Sequence, residues 1–261
     1  MKVSIVIASV SGESALNNCL ASIRQLEDSY HLEIIVERGD PESVFELRAR
    51  GIIRASGERI AVVGDRYEVT AAWMKALFAE HSFDLVGGCV APGPQLTYWG
   101  WCVYLTEYAH VSPPIADGTI RDPKLVPGGN AAYNAALVRR IKPRQTDTDL
   151  TLHARLLQSG AKTGLLNDFE VLFTSPHGCM EYVRERFWYS FTIARGKRPG
   201  WSLFQAPLLP FVVLMRTGAV AFRKGRFIRF LSCVPVIACL AAAQGIGEFA
   251  GSLKARKKRA S

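Results

Sequence analysis

An α/β fold is predicted for this chain: a mostly parallel sheet flanked by helices, followed by a C-terminal membrane-associated helical region. Three observations predict it. Short, nearly uninterrupted apolar runs alternate with windows whose apolar residues recur at helical spacing, the pattern of strands buried on both faces and joined by crossover helices. One such run, Ile60 to Gly64, stops on a single acid, Asp65, and open α/β sheets bind their ligands at the C-terminal ends of strands. Charge is also divided unevenly along the chain. Residues 184–261 hold 15 Lys and Arg against only Glu185 and Glu248, while residues 1–183 hold 17 Lys and Arg against 21 acids.

The elements follow in order. Val3 to Ser9 is a buried strand, and Asn17 to Leu26 a helix with Leu16, Cys19, Leu20 and Ile23 on one side. Leu32 to Glu37 is a second strand ending in an acid, Ser43 to Arg54 a second helix, and the Asp65 strand comes next. Asp84 to Gly88 reads as a fourth strand. The pattern then loosens through Pro92, Pro94, Pro113 and Pro114, around an aromatic stretch from Tyr98 to Tyr108; connections this long in a domain are often functional. Val126 to Asn130 is a Gly-rich turn into a helix over Ala131 to Arg140. Asp147-Thr148-Asp149 opens a helix bearing Leu150, Leu152, Leu156 and Leu157, and Gly164 to Phe173 is the last strand.

The six cysteines form no C-x-x-C pair, which argues against a zinc site or a disulfide framework and for a reducing compartment. The chain opens directly on a strand, which reads as no signal peptide. Basic charge on an apolar C-terminal region differs from the polar, aromatic-dotted basic surface of a nucleic-acid binder. It suits the anionic face of a membrane, so nucleic acid is excluded as a partner.

Four motifs carry a resemblance. Val3-Ser-Ile-Val-Ile-Ala-Ser9 with Cys19-Leu20-Ala21-Ser22-Ile23 forms the first. Arg48-Ala-Arg-Gly-Ile-Ile-Arg-Ala-Ser-Gly57 is the second, Gly128-Gly129-Asn130-Ala-Ala-Tyr-Asn134 the third, and Thr146-Asp147-Thr148-Asp149-Leu150 with Gly160 the fourth. In their order and spacing they resemble a family 2 glycosyltransferase of the GT-A fold over roughly residues 1–180. The departures are specific. The family's Asp-x-Asp metal motif is degenerate here, Gly64-Asp65-Arg66; its Glu-Asp pair is Thr146-Asp147; and Ala49 replaces an Asn.

The resemblance implies transfer of a sugar, a hexose, from a nucleotide-diphosphate donor to a lipid-linked or cell-envelope polysaccharide acceptor, with inversion. It assigns Asp147 as the base, with Asp149 as support or helix cap. Ser9, Glu37, Arg48, Asp65 and Arg66 fall on the nucleotide-sugar side, and Gly128, Gly129 and Asn130 on the acceptor side. Asp65 and His177 would hold a divalent cation, manganese or magnesium, against the diphosphate, and Arg66 could replace part of that charge. Structural readings stand beside each of these. Asp65 could cap the helix that carries Trp73 and Leu77, one of the two acids could be only an N-cap, and Gly128 to Asn130 could simply form a turn. His177 could be a polar strand ending, and Trp99, Trp101 and Tyr104 could be core instead of an acceptor wall. The lost acids also leave a second class open, a catalytically inactive, membrane-tethered binding or scaffold subunit. A third reading, a nucleotidyltransferase on a similar sheet, ranks last because this chain has no Gly-rich phosphate loop near its first strand.

Three segments follow: residues 1–180, the GT-A domain; residues 181–200, an amphipathic interfacial helix with aromatic and cationic anchors; and residues 201–261, an apolar, basic, membrane-associated region. Within the last, Leu203 to Phe222 and Phe230 to about Leu253 each approach the ~20 residues that span a bilayer. Pro207, Pro210, Arg216, Pro235 and Glu248 interrupt them. A hairpin would carry Arg223-Lys-Gly-Arg226 to the far side, against the positive-inside rule. Attachment within the cytoplasmic leaflet, monotopic or re-entrant, is therefore expected, with the catalytic domain cytoplasmic at the cell membrane; a true hairpin and a helical subdomain packed on the catalytic domain are the alternative readings.

Overall fold

The computed structural model describes residues 1–27, 29–40, 43–174, 178–196 and 206–260. In chain order the elements are β1 (Val3–Ser9), α1 (Glu13–Glu27), β2 (Leu32–Arg38), α2 (Val44–Arg54), β3 (Arg59–Gly64), β4 (Tyr67–Val69) and α3 (Ala71–Phe78). Then come β5 (Leu85–Pro92), α4 (Tyr98–Glu107), β6 (Gly118–Thr119), β7 (Asn130–Asn134), α5 (Ala135–Ile141), α6 (Asp149–Gln158) and β8 (Thr163–Phe173). Helices α7 (Cys179–Gly196), α8 (Leu209–Arg223) and α9 (Phe227–Ala260) complete it. The chain divides into two units: Met1–Pro94 with Val111–Pro176, and Gln95–His110 with His177–Ser261.

The first unit is the predicted mostly parallel sheet flanked by helices, with strand order β2-β1-β3-β7-β5-β8-β4 and β6 added on β8. Strand β1 pairs in parallel with β2 and β3, and β5 with β8, whereas β7, β4 and β6 run antiparallel to their neighbours. All seven residues of β1 and four of the six in β3 are buried, which is why their sequences show no polar alternation. Val6, Ile60, Val62, Leu85, Ala131 and Tyr133 of the sheet pack with Leu137, Val138, Leu152 and Leu156 of α5 and α6 in one core.

Two predicted elements are corrected. The helix expected over Ala131 to Arg140 begins only at Ala135, and Asn130–Asn134 is instead β7, inserted between β3 and β5. Alanines favour helix locally, but burial between two strands overrides propensity. Asn134 marks the boundary, its Oδ1 accepting from the amides of Ala136 (3.0 Å) and Leu137 (3.4 Å) as an N-cap. The aromatic stretch from Tyr98 is helix α4, opened by Thr97, whose hydroxyl accepts from the Gly100 amide.

On β2, Glu33 accepts from the Ser4 hydroxyl (2.5 Å), the Ser56 amide (2.8 Å), the Ser56 hydroxyl (2.7 Å) and Lys2 Nζ (3.3 Å). The Ser4 bond first, then those from Ser56, draw its carboxyl down from an ordinary 4.5 to about 2. A carboxyl depressed in the folded state contributes stability that is complete above the unfolded value and lost as pH falls through the folded one. The Tm difference between wild type and Glu33→Gln is therefore expected to be constant above about pH 5 and to shrink toward pH 2. A difference that persists unchanged at pH 2 would contradict this.

In the second unit α7 and α8 both pack on α9, and α4 packs on α9 and α8. Glycines set the closeness of the α7–α9 contact. A Cβ on Gly247 would lie 2.3 Å from the Phe187 carbonyl oxygen, and one on Gly251 2.4 Å from that of Phe191. Arg186 Nε of α7 pairs with Glu107 of α4 at 3.5 Å.

Candidate functional site

The C-terminal ends of β1, β2 and β3 lie along one edge of the first unit, because the three strands are parallel. Antiparallel β7 brings its beginning to the same edge, so Val63 stands opposite Asn130 and the Gly64 amide donates to the Gly129 carbonyl at 2.9 Å. Motifs far apart in sequence therefore meet.

Arg48 of α2 and Asp149, the first residue of α6, form an ion pair between Arg48 Nη1 and Asp149 Oδ2. Both side chains are mostly buried, 15% and 16% exposed. Gly128 lies directly against this pair; a Cβ there would fall 1.9 Å from Asp149 Oδ2, a distance no side chain can tolerate. A Cβ on Gly129 would meet the Tyr67 ring at 3.0 Å and Arg48 Nη2 at 3.2 Å. The two glycines are there so that backbone can approach a charged pair closely. Behind it stands buried Tyr133 of β7, whose hydroxyl is bonded to His153 Nε2 at 2.8 Å. Burial pushes the Tyr133 hydroxyl well up, the Asp149 charge adding to the shift and Arg48 opposing it. His153 sits four residues after Asp149, so the two share a face of α6. The Tyr133–His153 bond holds that face on the sheet. Sequence reasoning missed this pair; the available signal was a His four residues after an acid, on the helix side that carries Leu152 and Leu156.

Asp147 is held elsewhere. Its Oδ2 accepts from the Arg144 amide at 2.9 Å and pairs with Arg155 Nη1. Arg155 Nη2 in turn donates to the carbonyls of Ile141 and Lys142. The carboxylate expected to be the base is thus the knot of the α5–α6 connection, and Asp149 is the acid brought to Arg48 and Gly128.

Asp65 is buried, 3% exposed. Its Oδ2 accepts from the amides of Val10 (2.8 Å) and Ser11 (2.7 Å), and its Oδ1 from the Ser11 hydroxyl (2.9 Å). It caps no helix: α3 is capped by Thr70, whose hydroxyl accepts from the Trp73 amide. Asp65 pins the loop after β1 across the sheet edge. That arrangement does not fit a metal ligand, since the carboxylate is engaged by three donors. No cluster of three or more His, Cys, Asp or Glu suited to a metal ion occurs among the described residues, and His177 lies outside them. Arg66 turns its guanidinium over the Phe173 ring, 5.9 Å from the centroid, while its carbonyl accepts from Thr174.

Glu37 and Ser9 are less open than their strand-end positions suggest. Glu37 is buried and paired with Arg54 Nη1 (2.5 Å) and Arg50 Nε (3.2 Å) of α2. The Ser9 carbonyl accepts from the Gly39 amide. Asn130, expected on the acceptor side, has a fully buried side chain. Its Oδ1 accepts from Trp73 Nε1 at 2.8 Å, and its Nδ2 donates to the carbonyls of Cys89 (3.0 Å) and Phe169 (2.9 Å). Of the aromatic residues, Tyr104 is buried and Trp99 is 39% exposed, both in α4 of the second unit.

No protein-family model and no curated protein matches the chain. Among solved structures it is similar to the mannosyltransferase PcManGT from Pyrobaculum calidifontis, determined with GDP-Man and Mn2+. That match has 14% identity and a TM-score of 0.49, covering 92% of this chain and 85% of that one. It is also similar to S. aureus TarS 1–349 in complex with UDP-GlcNAc, with 11% identity and a TM-score of 0.47, covering 99% and 92%. A mycobacterial protein matches at 14% identity and a TM-score of 0.45 over 74% and 73%. Similarity at this level assigns neither an activity nor a ligand to this chain.

Proposed function

We propose that the chain is a GT-A-type glycosyltransferase. It transfers a sugar, with inversion, from a nucleotide-diphosphate donor to a lipid-linked or envelope polysaccharide acceptor at the cytoplasmic face of the cell membrane. One observation carries the reading: Arg48 and Asp149, 101 positions apart and from different motifs, pair against Gly128 of a third motif. Charged residues that converge beneath a glycine turn at the C-terminal edge of a sheet suit binding and proton transfer.

In this reading Asp149 is the base, in place of Asp147. Its carboxylate takes the proton of an acceptor hydroxyl as that oxygen attacks the anomeric carbon. The bond from that carbon to the diphosphate oxygen breaks, and the nucleoside diphosphate leaves with the electron pair. Arg48 fixes the carboxylate, and Gly128, lacking a side chain, leaves room for the carboxylate against the turn. Asp65 acts indirectly, shaping the donor end by holding Val10 and Ser11. A divalent cation, if bound, would neutralise diphosphate charge, but the described residues do not form its cage, and no step is assigned to it. A scaffold subunit is the second reading, favoured by the engagement of Asp65 and by Gly64 and Thr146 at positions where the family has acids.

Calorimetry of the detergent-solubilised full chain against UDP-, GDP- and dTDP-sugars tests the proposal. One donor is expected to bind, with chelator as well as with manganese or magnesium. Asp65→Ala should weaken that binding by about tenfold, because the loop amides lose a charged acceptor. Failure to bind any donor under all three conditions would leave the scaffold reading.

A further inference from the structure

Helix α8 is built inside out, and α9 is apolar on its outward face as well as on its buried one. On α8 the exposed face carries Phe211, Val212, Met215, Ala219 and Phe222, with Leu208 just before it, and the only charges on it are Arg216 and Arg223. The buried face is small and partly polar: Thr217, Gly218 and Ala221. Phe211 is 70% and Met215 76% exposed. On α9 the exposed positions Ile228, Leu231, Pro235, Cys239, Ile246, Phe249 and Leu253 recur at helical spacing. They form an uncharged stripe about 37 Å long. A water-facing helix surface is ordinarily its polar one, so two apolar stripes mark a surface made for another medium.

Charge identifies that medium. Arg223, Lys224, Arg226 and Arg229 cluster at the start of α9, and Lys254-Ala-Arg-Lys-Lys-Arg259 closes it. Basic clusters at both ends of one apolar stripe match an anionic lipid surface. The packing says how α9 lies on it. At its start α9 is bound to α4: Tyr98 Oη donates to the Ser232 carbonyl at 2.8 Å, Arg226 Nη1 donates to Tyr104 Oη at 2.9 Å, and Arg229 stacks on Trp101 at 4.5 Å. Its later half is bound to α7 through Gly247 and Gly251. Helix α7 carries Glu181, Arg184, Glu185, Arg186 and Arg195, charges that are costly inside hydrocarbon. Both α8 and α9 are long and apolar enough to cross a membrane by length and composition, yet a crossing would take α4, α7 and one basic cluster with it.

We propose that the second unit attaches to an anionic bilayer in the plane of one leaflet. The outward stripes of α8 and α9 lie among the upper acyl chains, the exposed Arg223 and Lys254 that flank α9 lie on headgroup phosphates, and neither helix crosses. This deepens the membrane part of the proposed function and is independent of its chemistry. A failure to bind donor sugars leaves it standing.

Vesicle flotation of the full chain, with phosphatidylcholine alone or mixed with phosphatidylglycerol, reads the attachment. Binding is expected on the anionic vesicles and should fall roughly tenfold or more in high salt or in Arg223→Glu/Lys224→Glu. Phe211→Glu/Met215→Glu should lower it by a similar factor, with circular dichroism confirming that the exposed substitutions leave the helices intact. Depth is read by a fluorophore on Cys239, on Ile228→Cys or on Leu253→Cys, in a background with Cys179→Ser and, for the last two, Cys239→Ser. Quenching by lipids carrying nitroxides at graded positions should place all three labels at one shallow depth. Labels at graded depths would show a span and overturn the proposal. So would a chain that ignores vesicles and forms dimers through this face.

Discussion

Asp149→Asn is expected to reduce sugar transfer by about 10²–10⁴-fold, the usual contribution of a positioned general base, while leaving donor affinity within a few-fold. Asparagine keeps an oxygen for Arg48 Nη1, so the local packing at Gly128 survives and the loss isolates proton acceptance. Asp147→Asn makes the contrast. It weakens the tie from Arg155 to the α5–α6 connection and should appear first as a lower Tm, with turnover per folded molecule near wild type. Transfer assays with the donor identified by calorimetry, run on both variants beside thermal melts, separate the two acids. If Asp147→Asn abolishes turnover at unchanged stability and Asp149→Asn does not, the base is Asp147 and the Arg48 pair is a structural tie.

The reason sequence could not separate these acids is instructive. They lie two residues apart at one helix start, and nothing local distinguishes them. What divides them is the partner each finds: Arg48, 101 positions earlier, for Asp149 and Arg155, 8 positions later, for Asp147. The buried strands were legible because β1 and β3 are apolar on both faces, a pattern carried by adjacent residues. Strand β7 was not, since Asn-Ala-Ala-Tyr-Asn has no strand signal of its own; its conformation is imposed by β3 and β5 on either side. Asp65 was legible in position and not in role. An apolar run ending on an acid marks a sheet edge, but whether that acid faces a ligand or anchors a neighbouring loop depends on the donors of Val10 and Ser11 beyond another strand. The C-terminal region was legible in composition, and its outward apolar faces emerge only with packing.

Asn130→Leu is expected to destabilise the first unit by about 3–9 kcal/mol, at about one to three for each of the three buried groups left without its partner. The register of β5 on β8 slips between Gly88 and Val90, where β8 advances from Leu166 to Val171. Within that irregularity Asn130 Nδ2 serves the carbonyls of Cys89 and Phe169, and its Oδ1 serves the Trp73 indole, which stacks on Phe169 at 4.9 Å. Leucine fills a similar volume and meets none of these needs. Against a total stability of about 5–15 kcal/mol the loss is large, and chemical denaturation should show a much lower midpoint. Asn130→Asp keeps an acceptor for Trp73 and removes both donors, so it should fall in the same direction by a comparable amount. A leucine variant as stable as wild type but unable to transfer sugar would place Asn130 at the acceptor after all. The present geometry instead makes it the bracket that fixes β7, and hence Gly128 and Gly129 two residues before it, at the height where Arg48 and Asp149 meet.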